Sequence, residues 1–532
     1  MARHGKVKII QHFDERGLAF SALGYGRSTG KAGVFVCTSG TAVANAFPAV
    51  IEAATEGVPL LLFTADRPDE LRGTGANQTI EQRNIFGDYP EMFRHMPAPE
   101  DVSVHTNPKG DPPGSTNDFA GHLTFLVKTL HECFGASRYG PVHLNWMFRE
   151  PFTIEQENEL TTPEMIDSSL LKDEGDKSTG KESIRIETVG ETLIALGSCT
   201  PDEATEALKL SKKLHCPLLA DVTSGLRVGS FELPADFSLP KPDTILHVGG
   251  RITSKSWHQW TETLRDRDVL FVHLTPTGRV VNPNRLDQTT HQTTLDNLVD
   301  IVDGEPASDQ FLQAWHDAGR DRDRVVEKNL VDTERLSEPA IAHFLCRNCP
   351  QSDNFFIGNS MPIRDLDWYG TWKSDAPRPV FANRGASGID GLLATATGVA
   401  IGSGSPTTVM LGDLSALHDL NSLALIAKSP WPLIVVIINN QSGHIFDLLP
   451  VRESSHFEQF FATPHAFHFK DAAAMFGIPY QRVTSMSGLR GAYNAAVDER
   501  KSVVMEIVTD RTYNTEVRQL IRKEILRCSK QG

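Results

Sequence analysis

A chain of 532 residues, 40% of them hydrophobic, is long enough for roughly three domains, each with its own buried core. Its net charge of −15 excludes broad nucleic-acid binding, which needs Lys and Arg to neutralise phosphates, while leaving room for small anions in a local basic pocket. No apolar run is long enough to span a bilayer, the start "MARHGKVKII" lacks the apolar stretch of a secretory signal, and 7 cysteines in so long a chain read as reduced thiols in a cytosol-like compartment.

In chain order, "VKIIQHF" predicts a strand that gives way to a helix at Glu15. Next, "GVFVCTSG", "TAVANAFPAVIEAATEG" and "PLLLFTADRP" predict strand, helix and strand with parallel pairing. Continuous apolar runs such as "LLLF" suit a sheet covered on both faces. "HTNPKGDPPGSTND" reads as a loop insertion, and the polar, charge-rich residues 153–188 read as a linker. A second α/β series follows in "TLIALGS", "CPLLADVTSG", "DTILHVGGR" and "VLFVHLTP", then a charged helical stretch from about Gln310 to Glu338. The third series has its strand ends at "NFFIGNS", "PVFANRG", "TTVMLGD" and "PLIVVIINN". Cys346 and Cys349 form a CxxC without a second pair, which reads as helix-end residues rather than a zinc site. The expected fold is α/β, with three doubly wound parallel-sheet domains at 1–152, 189–335 and 336–532.

Ligands of open α/β sheets bind beyond the carboxyl ends of the strands. That directs attention to "TADRP", "IGNS", "ANRG", "LGD" and "INNQ". In "GDLSALHDLNSLALIAKSPWPLIVVIINNQ", Asp413 follows one apolar strand, and Asn439 and Asn440 follow the next. Leu417, Leu420, Leu423, Ala424 and Ala427 recur between them at helical spacing, so one βαβ unit sets Asp413 and Asn440 at adjacent strand ends. A carboxylate, an amide oxygen and nearby carbonyls are hard ligands suited to Mg²⁺, whose shell phosphate oxygens and water complete. The helix after Asp413 offers its first N–H groups to the same phosphates. The ordinary reading, in which Asp413 caps the helix and the asparagines form a turn, stands open beside it.

A Gly-Asp pair followed one such unit later by Asn-Asn resembles the cofactor motif of thiamine-diphosphate (thiamine pyrophosphate) enzymes. The resemblance implies that Asp413, Asn440 and the main-chain carbonyl of Ser442 hold Mg²⁺ or Mn²⁺. It also implies that Glu15, in "HFDERGLAF", is the glutamate that hydrogen-bonds the aminopyrimidine ring and helps activate the cofactor, with Gly17 and Ala19 allowing close approach. A solvated helix-start acid beside Asp14 and Arg16 is the alternative for Glu15. The wider wording is more specific. "TSGTAVANAFPAVIEA", "LLLFTADRPDELRGTGANQTIEQ", "IGNSMPIRD", "NRGASGIDGLLATATG", "GDLSALHDLNSLAL" and "INNQSGHIFDLLP" resemble the 2-succinyl-5-enolpyruvyl-6-hydroxy-3-cyclohexene-1-carboxylate synthase family of menaquinone and phylloquinone biosynthesis. The likeness covers most of the first and third series and is weaker in the middle one.

That family implies a pyrimidine-binding, a central and a diphosphate-binding domain. It implies decarboxylation of 2-oxoglutarate and addition of the remaining four-carbon unit to isochorismate, with no redox step. Cofactor contacts are implied for Glu15, Leu414, Ser415, Ile389 and Ile445. Both substrates are dicarboxylates, which the planar fork of arginine matches. The resemblance assigns them Arg67, Asn77, Gln78, Lys255, Ser360, Arg364, Arg384 and Phe446, with Leu449 helping Ile389, Ile445 and Phe446 to wall the apolar part. Taken singly, Arg67 reads as a turn residue, Arg364 and Arg384 as structural partners of Asp365 and Asp390, and the four apolar residues as core. A homodimer or homotetramer is implied, in the cytoplasm or, in a eukaryote, a plastid, with no nucleic-acid or membrane partner. Two departures stand out. A "PGSRS"-like stretch expected upstream of Glu15 is missing, and Ser256 stands where a basic residue often follows the family lysine. Two further readings stand beside an active synthase: another thiamine-diphosphate-dependent 2-oxo acid decarboxylase or ligase, against which the polar, basic "ADRPDELRGTGANQ" speaks, and a truncated homologue without turnover, which the missing upstream stretch alone suggests.

Overall fold

The computed structural model describes residues 7–98, 119–150, 184–226, 239–374 and 376–528, with the backbone alone for 119–127. The expected loop at "HTNPKGDPPGSTND" and residues 153–183 of the expected linker lie outside the described residues. The chain divides into two compact units, Met1–Lys181 and Glu182–Gly532.

In the first unit, β1 (Gly33–Cys37), β2 (Leu60–Asp66), β3 (Met92–Met96) and β4 (Pro141–Met147) form a parallel sheet in the order β1-β2-β4-β3. Leu60, Leu61 and Leu62 are fully buried, as a continuous apolar strand covered on both faces requires. The helix Glu15–Thr29 starts where the Asp14 carboxylate accepts the N–H groups of Arg16 and Gly17, and it ends at Gly30 in the left-handed conformation. The strand expected at "VKIIQHF" is not formed over residues 7–13. Among the described residues no strand pairs with this segment, and Val7, Ile9 and Phe13 are exposed, so its apolar residues have no sheet to bury them.

The second unit holds two larger sheets. β5 (Ile186–Glu187), within the stretch read as linker, pairs instead with β11 (Val302–Asp303). β6 (Thr192–Leu196), β7 (Leu218–Ala220), β8 (Thr244–Val248), β9 (Leu270–Thr275) and β10 (Gln288–Gln292) form a parallel sheet ordered β10-β9-β8-β6-β7. The charged helical stretch is the helix Asp309–Leu330, capped by Ser308 and burying Phe311, Trp315, Val325, Val326 and Leu330. The second large sheet contains β12 (Asn354–Ile357), β13 (Val380–Phe381), β14 (Thr407–Gly412), β15 (Leu433–Asn439), β16 (Tyr480–Val483) and β17 (Val503–Val508), ordered β13-β12-β14-β15-β17-β16 and parallel throughout. Side chains alternate between its faces. Met410, Val436, Ile438, Met505 and Ile507 join one core, and Val409, Leu411, Val435, Ile437 and Val504 join another. Two cores on one parallel sheet are the mark of a doubly wound α/β fold, as read from the sequence. No helix among the described residues is long and apolar enough to cross a membrane.

The central sheet also buries two imidazoles. His247 and His273 face each other across β8 and β9, with ring centroids 4.3 Å apart. Each Nε2–H donates to a carbonyl, Gly250 and Gly249 respectively, at 2.8 Å. Burial first, then the neighbouring ring, pushes the His247 pKa down to about 3, and burial lowers His273 as well. An unfolded histidine takes up its proton near pH 6.5, so below that value the unfolded chain binds more protons than the folded one. The contribution is whole above about pH 6.5 and is lost as the pH falls toward about 3. In urea titrations at stepped pH, His247→Gln, which keeps a donor for Gly250, is expected to lose stability less steeply across that window than the parent. Equal slopes would place the acid sensitivity elsewhere.

Candidate active site

Because the sheet ordered β13-β12-β14-β15 is parallel, its strands deliver their following residues to one edge. That edge collects Arg384 after β13, Ser360 after β12, Asp413 after β14 and Asn440 after β15. Asp413 is 3% exposed. Its Oδ1 accepts the Leu414 N–H and its Oδ2 the Gln441 N–H, both at 2.7 Å, which ties the two strand ends together. The facing side chain is His465, with Nε2 3.3 Å from Oδ2, while Nδ1 of that ring accepts the Phe467 N–H. Among the described residues no Lys or Arg pairs with Asp413. Burial pushes its carboxyl above the usual range, against the pull of these hydrogen bonds and His465. A cation at this point would supply the missing positive charge.

The two asparagines have separate tasks. Asn439 is fully buried and donates to the Phe467 carbonyl and to Glu506. Asn440 donates Nδ2–H to Glu338 Oε1 at 2.8 Å, and its Oδ1 accepts the Ser442 N–H at 3.3 Å. Ser442 is buried, its hydroxyl donating to the Ala462 carbonyl at 2.8 Å. The turn in the ordinary reading is therefore present, with Gln441 at φ 62°. The cap is not quite as expected: Gly412 occupies the N-cap position, and Asp413 is the first helical residue. Among the described residues no group of three or more His, Cys, Asp or Glu is arranged to hold a metal. One carboxylate, one amide oxygen and a main-chain carbonyl form a different donor set, and a fitting one for Mg²⁺ completed by phosphate and water.

The single amphipathic helix expected after Asp413 is broken. It runs Asp413–His418 and resumes at Leu423–Lys428, and Ala427 is exposed. Asp419 causes the break by turning inward, where Oδ2 accepts the Ala394 N–H at 3.0 Å and Oδ1 the Ser422 hydroxyl at 2.6 Å. Leu414 is half-buried and Ser415 buried in the first piece.

Beside this lies a concentration of positive charge. Ser360, at φ 70°, precedes the helix Met361–Tyr369, and Arg364 Nη1 donates to its carbonyl at 2.6 Å. Arg384 Nη1 donates to Asn359 Oδ1 at 2.6 Å, while Asn359 Nδ2 donates to the carbonyls of Asn383 and Gly388. Burial, then the charge of Arg384, lowers the Arg364 pKa, so the two guanidinium groups sense each other. Asp365 is not the structural partner of Arg364; it is held by Arg518 Nε and Nη2 at 3.0 and 2.6 Å. Nor are the apolar wall residues core. Ile389 is 39% and Leu449 42% exposed, and Ile445 and Phe446 are half-buried on a loop fastened by Arg511 to Asp447 and Glu458.

In the first unit, Glu15 is the half-buried first residue of its helix, and Asp14, not Glu15, performs the capping. Gly17 and Ala19 are buried behind it. Burial and then the Glu15 charge push the Cys37 thiol up to about 12, which sets Glu15 near the end of β1. Gln78, at φ 56°, donates to the Ser39 carbonyl at 2.9 Å, and Gly40 at φ 85° leaves room for it where a Cβ would lie 2.9 Å from its Cγ. Asn77 is exposed, and Arg67 Nη1 lies 3.9 Å from Glu150. Lys255 is exposed at the start of the helix Lys255–Glu262, which connects β8 to β9 of the other large sheet.

Sequence reasoning missed Asn359, His465, Glu338, Arg518 and Gln82. The buried Gln82 accepts the Gly40 N–H and donates to Ala65 and Asn145, joining the ends of β1, β2 and β4. Asn359 lay inside "IGNS" and could have been taken with Ser360. Gln82 closes the stretch "LLLFTADRPDELRGTGANQTIEQ" and could have been taken with Gln78, while His465, Glu338 and Arg518 are polar residues outside every quoted motif.

Residues 1–85 match the thiamine pyrophosphate enzyme N-terminal binding domain and residues 368–507 the C-terminal one. The matched domains contain Glu15, Arg67 and Gln78 on one side and Arg384, Asp413 and Asn440 on the other. With the parallel sheets they define the class, a thiamine pyrophosphate enzyme. Proteins named 2-succinyl-5-enolpyruvyl-6-hydroxy-3-cyclohexene-1-carboxylate synthase are similar along nearly the whole chain. That of Salinibacter ruber is 36% identical, covering 100% of this chain and 92% of its own. That of Rubrobacter xylanophilus is 37% identical over 98% and 92%, and that of Chlorobium phaeobacteroides 34% over 98% and 92%. The chain belongs to the 2-succinyl-5-enolpyruvyl-6-hydroxy-3-cyclohexene-1-carboxylate synthase family.

Asp419 offers a test of the geometry at this edge. Asp419→Ala strands the buried Ala394 N–H, and a lost partner of this kind costs about 1–3 kcal/mol. Chemical denaturation is expected to show a loss of that order, and an unchanged midpoint would mean that the Ala394 N–H is satisfied otherwise.

Proposed function

We propose that this chain catalyses the thiamine-diphosphate- and Mg²⁺-dependent addition of the succinyl unit of 2-oxoglutarate, with loss of CO₂, to isochorismate, as in menaquinone or phylloquinone biosynthesis. The observation carrying the reading is one sheet edge that sets a buried carboxylate lacking any Lys or Arg partner among the described residues, Asp413, along from two mutually sensed guanidinium groups, Arg364 and Arg384. The first suits a hard cation, the second a dicarboxylate. When bound, thiamine diphosphate supplies the carbon nucleophile that a 2-oxo acid needs in order to lose CO₂ and pass on its acyl unit.

The residues divide this work. Asp413, the Asn440 amide oxygen and the Ser442 main-chain carbonyl hold Mg²⁺ or Mn²⁺. Leu414, Ser415, Ile389 and Ile445 contact the cofactor, and Glu15 is the proton acceptor for its activation. Arg67, Asn77, Gln78, Lys255, Ser360, Arg364, Arg384 and Phe446 bind the substrates. The proposed domains are 1–152 for the pyrimidine, 189–335 as the central domain and 336–532 for diphosphate and Mg²⁺, joined by the linker.

Incubation with thiamine diphosphate, Mg²⁺, 2-oxoglutarate and isochorismate, followed by mass analysis, is expected to yield the succinylated product. Asp413→Ala is expected to abolish Mg²⁺-dependent cofactor binding while the chain stays folded. A parent protein that binds the cofactor yet forms no such product, or an Asp413→Ala protein with unchanged metal dependence, would overturn the reading.

We further propose a homodimer, or a tetramer of two such pairs, in which each cofactor is shared between chains. Closed two-fold symmetry is the commonest oligomeric arrangement. Glu15→Gln and Asp413→Ala proteins, each inactive, are expected to regain activity when subunits exchange, since one heterodimer site would carry both defects and the other neither. No recovery after proven exchange would mean that both groups act within one chain.

A further inference from the structure

Glu338 opens the helix Glu338–Asn348 and is 1% exposed. Its carboxylate is saturated with donors. Oε1 accepts from Asn440 Nδ2 at 2.8 Å, Asn514 Nδ2 at 3.0 Å and the Thr509 hydroxyl at 3.3 Å, and Oε2 accepts from Arg518 Nη2 at 2.5 Å. The same Arg518 grips Asp365. Asn514 and Arg518 would suffice to fasten the C-terminal helix Arg511–Cys528 to the sheet. The contact with Asn440 does something else. A side-chain amide can present either its nitrogen or its oxygen to a neighbour, and an ionised carboxylate can only accept. Glu338 therefore draws Nδ2 toward itself and leaves Oδ1 on the other side, at the turn where the Ser442 N–H reaches it and the Gln441 N–H reaches Asp413.

We infer that Glu338, held by Arg518, is a positioning residue that fixes the orientation of the Asn440 amide and thereby sets the affinity of the site for Mg²⁺. The inference rests on the reading of Asp413 and Asn440 as metal ligands. Outer groups of this kind typically change metal affinity about 10- to 100-fold when removed.

The test is the Mg²⁺ dependence of thiamine diphosphate binding, followed by calorimetry, with circular dichroism as a check on folding. In Glu338→Gln the Mg²⁺ concentration for half-maximal binding is expected to rise about 10- to 100-fold, with binding restored at saturating Mg²⁺. Asn440→Asp sets two carboxylates against each other and is expected to raise the Mg²⁺ requirement similarly. Combining Asn440→Asp with Glu338→Gln re-creates a donor facing an acceptor, and affinity is expected to return to within about tenfold of the parent. A Glu338→Gln protein within about twofold of the parent, while Asp413→Ala loses Mg²⁺-dependent binding, would overturn the positioning role and leave the metal reading standing. If Asp413→Ala and Asn440→Asp both leave Mg²⁺ dependence unchanged, the metal reading falls and the inference with it. Should Glu338→Gln fail to fold, Arg518→Lys, which keeps the charge and loosens the grip on Glu338, is expected to raise the Mg²⁺ requirement at least about threefold, and no change would count against the role.

Discussion

Every strand of the sheet β13-β12-β14-β15-β17-β16 runs the same way, and most of the site follows from that constraint. Parallel strands need crossover connections, so each strand hands its next residues to the same edge, and the helices are left to cover the faces. Arg384, Ser360, Asp413 and Asn440 come from four different strand ends yet share one edge because none of the four strands is reversed. An antiparallel neighbour would have carried one of them to the far side of the sheet.

The chain bears a net charge of −15, yet this edge separates charge in detail. Arg364 and Arg384 are held by neutral acceptors, the carbonyl of Ser360 and the amide of Asn359. A neutral acceptor orients a guanidinium without itself cancelling the charge. Asp413 is treated in the same manner with opposite sign, since backbone N–H groups orient it without supplying a full positive charge. Deeper in the unit the logic reverses. Arg518 serves Glu338 and Asp365 together, and burial pushes Asp365 up to about 7 because one guanidinium cannot fully offset two buried carboxylates. Such a cluster is weak support for stability and better suited to fixing geometry.

Much of this was legible in the sequence where a single physical signal dominated. The run "PLIVVIINN" is buried at all its strand positions, and only a central strand makes such a run, so β15 and the residues after it could be placed. Where two signals competed, the reading failed. "VKIIQHF" has the apolar content of a strand but finds no neighbour to pair with among the described residues. The apolar spacing after Asp413 predicts one continuous helix, but Asp419 turns inward to the Ala394 N–H and the Ser422 hydroxyl, and apolar spacing does not register such a polar contact. The alternative that pairs Arg364 with Asp365, its neighbour in sequence, fails because successive helical residues point in different directions and Asp365 turns to Arg518. Glu338 and Arg518 stood outside every motif because their partners are distant in the chain, and spacing carries no trace of such contacts.

The paired asparagines show how finely the fold sets the chemistry. They carry the same side chain at adjacent positions, and adjacent residues at a strand end point to opposite sides. Asn439 turns its Nδ2 to Glu506 and Phe467, while its Oδ1 accepts the Gln441 N–H at 3.1 Å. Asn440 turns to Glu338 and keeps its oxygen at the turn beside Asp413. A shift of one residue in the register of β15 against β14, now Gly412 opposite Ile438, would exchange which asparagine faces Glu506 and which faces Glu338. The long apolar run of β15 cannot by itself forbid that slip, because a strand buried on both faces has no polar side to expose. The polar ends decide it instead: Glu506 accepts from one asparagine and Glu338 from the other, and each carboxylate is already held by further donors, His468 and Tyr480 for Glu506 and Arg518 for Glu338. The buried carboxylates therefore lock the register of the strand, and the locked register presents one amide oxygen to the site.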